Sequence, residues 1–137
     1  MTPWGGTVVL DSQGFSSWLS EDAAVMALLA AAHRNQSDLV VSAMTIVEVS
    51  HPWLNRRRLD RVLSRTRVEP VSERSARAAA ALLAASGRHG HSHAIDATVA
   101  ELASRQTRPV AVLTSDPDDL SRLCEPHVRI VPGLGPP

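Results

Sequence analysis

With 137 residues, 44% of them apolar and 20% charged, the chain has the size and composition of one globular domain able to bury a sizeable core. A disordered tail protein and a collagen-like repeat are excluded, and so is a membrane protein, because no apolar run approaches the roughly 18 to 20 residues that span a bilayer. The formal net charge of zero conceals a segregation: all fourteen cations are arginine, and residues 51–67 hold Arg56, Arg57, Arg58, Arg61, Arg65 and Arg67 against Asp60 alone.

The opening MTPWGG lacks the basic and apolar regions of a secretory signal, so a cytoplasmic protein is expected. The single Cys124 can close no intramolecular disulfide and build no thiolate cluster. Along the chain, TVVL at residues 7–10 is an apolar run without alternation, as is LVV at 39–41 and VAVL at 110–113, and such runs suit strands buried on both faces of a parallel sheet. Residues 68–71 and 128–131 are weaker strand candidates. Helical patterns fill the intervals at about 15–35, at 43–65 in two pieces, at 72–87 and at 93–106. Ser72 is placed to cap the third of these, with Gly87 closing it. Strands alternating with helices predict an α/β fold, a three-layer α/β/α sandwich with a mostly parallel central sheet. The expected core runs from about 7 to 131, followed by a loose tail at 132–137.

Sheets of this kind carry their sites at the carboxyl ends of the strands. Asp11 directly follows the first run, where an Asp also serves as an ordinary turn or cap residue. Glu48 interrupts the apolar stretch AMTIVEVS, and Asp96 interrupts HAIDATVAELA. A buried carboxylate is costly unless it is paired or coordinated, although an outward-facing Glu48 accounts for the same letters. Glu101, five residues beyond Asp96, reads as solvated. Asp116 follows the fourth run in VLTSDPDDL, where it doubles as an N-cap before Pro117, with Asp119 completing a capping pattern and Asp118 a first-turn acid. Carboxylates gathered at one edge raise one another's pKa, and a divalent cation relieves this. An oxygen-only donor set selects Mg2+ or Mn2+ over zinc.

The segments VVLDS, SAMTIVEVS, HAIDATVAELA and VLTSDPDDL, in this order and spacing, resemble the acidic motifs of the PIN domain family, and among its members the VapC-like ribonuclease toxins of type II toxin–antitoxin modules. The resemblance spans about residues 7–131, and its last motif is the most specific. It implies that Asp11, Glu48, Asp96 and Asp116 form the metal-binding catalytic quartet of a Mg2+- or Mn2+-dependent endoribonuclease, with Asp119 an auxiliary acid and Thr114 a polar neighbour. It further implies an RNA substrate, an antitoxin partner and a homodimer. Gln13 and Gly14 depart from the small or apolar residues common after the first Asp of the family.

Other residues carry open alternatives. His89, His91 and His93 alternate in a Gly-containing loop and read as exposed rather than metal-binding, while His93, three residues before Asp96, is within reach of a substrate phosphate. Arg56 to Arg67 form either a phosphate-binding stripe led by Arg57 and Arg58 or a solvated helix face over Leu59, Val62 and Leu63; Arg88 and His93 are the alternative RNA contacts. Phe15 and Trp18 suit a core or an interface, and an exposed Trp18 and Leu19 would suit an antitoxin or second subunit. Trp53 reads as a packing residue or as a platform for a base. Two rival functions remain: a degenerate PIN-like domain that binds RNA or protein without catalysis, and a receiver-like phosphoacceptor, against which the absence of lysine counts.

Overall fold

The computed structural model describes residues 5–132, so residues 133–137 of the expected tail lie outside it, and Pro132 belongs to the last strand. Strands β1 (Thr7–Leu10), β2 (Asp38–Ser42), β3 (Arg67–Glu69), β4 (Val110–Thr114) and β5 (Val128–Pro132) form one sheet in the order β3-β2-β1-β4-β5. Every pairing is parallel, with Val9 opposite both Val40 and Val112. The apolar runs are thus explained: β1 is buried throughout, and successive residues feed two different cores.

Helices α1 (Ser12–Leu19), α2 (Ala23–Arg34), α3 (Ala43–Glu48) and α4 (Arg56–Leu63) follow β1 and β2, and α5 (Glu73–Ser86), α6 (Gly90–Ser104) and α7 (Pro117–Leu123) complete the chain. On one face Val8, Leu10, Val41 and Leu113 pack with Phe15, Trp18, Val25, Leu29, Leu59 and Val62. On the other, Val9, Val40, Val110 and Val112 pack with Val99, Leu102 and Leu120. Helix layers on both faces make the α/β/α sandwich, with a sheet that is wholly parallel.

Three expectations need correction. The pattern over 15–35 is two helices, because the chain turns at Glu21, which adopts φ +59°, and Asp22 starts a new helix by accepting from the Val25 N–H at 3.1 Å. Trp18 and Leu19 are buried, with the Phe15 and Trp18 rings edge to face at 6.3 Å, so neither offers an outer surface for a partner. Glu101 is buried rather than solvated, and Arg105 neutralises it at 3.0 Å while also reaching Glu69 at 3.1 Å. Ser72 and Gly87 cap α5 as the letters indicate, Ser72 accepting from the Ser75 N–H and Gly87 taking the left-handed φ of +71°. Among the described residues no helix is long and apolar enough to cross a membrane.

Candidate active site

Asp11 stands where β1 leaves the sheet. It is the N-cap of α1, its Oδ1 accepting from the Gly14 N–H at 2.8 Å, and it is 5% exposed. Its own N–H donates to the Leu113 carbonyl at 3.3 Å, which fixes the end of β1 against β4. Gly14 explains the departure in the first turn: a Cβ there would lie 2.8 Å from the Leu113 oxygen, so only glycine lets α1 start this close to the sheet. Burial pushes the Asp11 pKa up, against the opposing pull of the Gly14 N–H and the Thr114 hydroxyl. Thr114, fully buried at the end of β4, also accepts from the Asp116 N–H at 2.9 Å through Oγ1 and so links the ends of β1 and β4.

Asp96 lies within α6, half-buried. Burial, and then the charges of Asp119, Asp11, Asp116 and Glu48, push its pKa up to about 6. Asp11 and Asp116 follow the carboxyl ends of the adjacent strands β1 and β4, and their charges, with those of Asp119 and Glu48, bear on Asp96. Asp116 holds the N-cap position of α7 with no side-chain cap hydrogen bond; it is exposed, and the little desolvation it suffers, together with the nearby Asp119, raises its pKa. Glu48, the last residue of α3, is exposed, so burial in an apolar stretch is not what marks it. The buried polar group of that helix is Thr45, whose hydroxyl has no hydrogen-bond partner among the described residues.

Among the described residues one arginine compensates this edge directly. Arg88, in the loop between α5 and α6, places Nη1 2.8 Å from Asp119 Oδ1 and 2.9 Å from His93 Nε2. A guanidinium only donates, so His93 Nε2 accepts, which puts the ring proton on Nδ1, a buried atom without a partner. His93 also breaks the helical geometry of α6, with φ −129° and ψ 18°. His89 and His91 are exposed. Burial, with Asp96 and Glu125 adding repulsion, pushes the Cys124 thiol up to about 12, which disfavours the thiolate.

The all-oxygen donor set, which Arg88 offsets only at Asp119, suits a hard divalent cation. Among the described residues, no three of these side chains close on a common point as they stand. In α4, Leu59 and Val62 pack inward while Arg56, Arg57 and Arg61 are exposed. Arg58 is committed elsewhere, donating to the Leu19 carbonyl at 3.0 Å and pairing with Glu21 at 3.3 Å, which anchors α4 to the end of α1.

No curated protein sequence matches the chain. Among solved structures it is similar to a chain of the VapBC2 complex from Rickettsia felis bound to a DNA fragment from its promoter, with a TM-score of 0.67 and 14% identity, covering 91% of this chain and 97% of that one. At that identity the likeness concerns the fold. The PIN domain family matches residues 8–126, which take in four of the five strands and all five of these carboxylates, and the chain belongs to that family.

Proposed function

We propose that this chain, a single PIN domain over residues 1–137, is a Mg2+- or Mn2+-dependent endoribonuclease and the toxin of a toxin–antitoxin pair. The observation that carries the reading is the placement of Asp11 and Asp116 at the ends of the paired strands β1 and β4, beside a half-buried Asp96 on which their charges and those of Asp119 and Glu48 bear. Asp11, Glu48, Asp96 and Asp116 are the residues that would hold the cation. When bound, such an ion lowers the pKa of a water and offsets charge on a phosphodiester. Thr114 holds the ionised form of Asp11 in place, and Asp119 anchors Arg88, whose remaining donors suit an RNA phosphate beside His93.

The toxin reading draws on the likeness to a chain of VapBC2; an antitoxin partner, a homodimer and a cytoplasmic location follow as proposals from it. With Trp18 and Leu19 buried, such partners must use other surfaces. A non-catalytic RNA- or protein-binding domain is the second reading, favoured by the failure of three acids to meet at one point.

The test is cleavage of total RNA by the purified protein with Mg2+, with Mn2+ and with EDTA, beside Asp96→Asn and Asp116→Asn. Metal-dependent cleavage lost in both variants supports the nuclease. RNA binding without cleavage under every metal condition supports the second reading.

A further inference from the structure

Trp53 is 86% exposed, an unusual position for the largest apolar side chain, and this removes the reading of it as a packing residue. The segment that carries it is held rather than loose. The Trp53 N–H donates to His51 Nδ1 at 3.2 Å, the Leu54 N–H donates to the His51 carbonyl at 3.1 Å, and the His51 and Trp53 rings stand 6.5 Å apart, tilted by 39°. Beside the indole opens a cleft of about 270 Å3, floored by the buried Leu19 and Val49 and rimmed by Ser16, Ser20, Asn55 and Arg58. Its volume leaves room for a heteroaromatic ring, and its rim carries hydroxyl and amide groups able to meet a base edge.

Position and charge identify the occupant. Trp53 lies five residues beyond Glu48, so the two Cα atoms are no more than roughly 17 Å apart; Val49, next after Glu48, lines the cleft, and its other wall is the C-terminal half of α1. On the other side α4 starts with Arg56 and Arg57, which are exposed and form no ion pair among the described residues. An exposed aromatic ring, flanked by free arginines and a few nucleotides from an acidic centre, suits an unpaired nucleotide better than an apolar protein surface, which would have to desolvate those charges.

We propose that the cleft beside Trp53 is a subsite for one unpaired nucleobase of the RNA substrate, stacked on the indole, with Arg56 and Arg57 on the flanking phosphates. This rests on the ribonuclease reading and deepens it: the substrate is single-stranded where it passes the cleft.

The test uses the full chain carrying Asp96→Asn, so that RNA is bound without being cut, and a fluorescein-labelled single-stranded oligoribonucleotide read by anisotropy. Adding Trp53→Ala should weaken binding on the order of 10- to 100-fold with an unchanged salt slope, while Trp53→Phe keeps most of the affinity. Arg56→Gln with Arg57→Gln should instead flatten the plot of log affinity against log salt by roughly 0.7 per lost phosphate contact. Saturating RNA should quench indole emission in the Asp96→Asn protein, and Trp53→Phe should abolish that quenching. If the otherwise wild-type protein cleaves RNA but Trp53→Ala changes neither affinity nor quenching, the subsite is overturned and the nuclease stands. If Trp53→Ala lowers the oligomeric state in sedimentation and leaves RNA affinity alone, Trp53 is a subunit contact and the proposal is wrong. If the protein neither binds nor cleaves RNA, the parent reading fails and the subsite with it.

Discussion

The most exposed consequence of the edge's electrostatics is that Asp96→Asn should stabilise the metal-free protein. The Asp96 carboxyl has an ordinary pKa of 3.8 and is pushed up to about 6 in the fold. Between those values the folded state takes up the proton more readily than the unfolded chain, so stability falls as pH rises through this window, and above about 6 the full cost of the ionised form is present. At about 1.36 kcal/mol per pKa unit the upper limit is about 3 kcal/mol, and solvent screening of a half-buried group reduces this to about 1–2 kcal/mol. Asparagine keeps the shape and removes the charge. Urea unfolding in EDTA at pH 8 should therefore find Asp96→Asn more stable by that amount, a rise of roughly 3–8 °C in Tm. The gap should narrow below pH 6 and close near pH 4, where the wild-type carboxyl is neutral too. A variant less stable than wild type at pH 8, or a gap that ignores pH, would refute the claim that Asp96 sits in a net acidic field.

Mg2+ at a hundredfold excess over its Kd should stabilise the wild type by about 2.7 kcal/mol and Asp96→Asn by much less, which a thermal melt series reads directly. Gly14→Ala should cost about 1–3 kcal/mol in urea unfolding, since its Cβ would sit 2.8 Å from the Leu113 oxygen; an unchanged midpoint would mean that α1 can move off the sheet freely. Asp11→Asn keeps a side-chain acceptor for the Gly14 N–H and should be more stable than Asp11→Ala by about 1 kcal/mol, both being inactive in RNA cleavage. Arg58→Ala should lose about 1 kcal/mol through its bond to the Leu19 carbonyl, whereas Glu21→Gln, which removes only an exposed ion pair, should lie within about 0.5 kcal/mol of wild type.

The strands were legible because a parallel sheet covered on both faces demands unbroken apolar runs, and TVVL, LVV and VAVL are such runs. The caps of α5 were legible because Ser72 and Gly87 act through local backbone geometry alone. The break between α1 and α2 was not, because it rests on a positive φ at Glu21, which no local letter announces. Glu48 shows how an apolar stretch misleads: α3 is six residues long and only Thr45 within it is buried, while its Val47 is 66% exposed. The Arg88 contact with Asp119 was invisible in the order of the letters, since it depends on how the α5–α6 loop folds back against α7. Trp53 could be resolved only by its exposure, the sequence being equally compatible with packing and with display.

The central claim is that the gathered carboxylates serve hydrolysis of an RNA phosphodiester by water. The most direct measurement is the chemistry of the new ends when the purified protein cuts a defined RNA in Mg2+. Attack by external water leaves no 2′,3′-cyclic phosphate, so the account predicts fragments free of cyclic ends, formed only with divalent metal and absent with Asp96→Asn. Cyclic phosphate ends, or cutting that persists in EDTA, would mean that the RNA's own 2′-hydroxyl is the nucleophile and that the acidic edge is not the seat of the reaction.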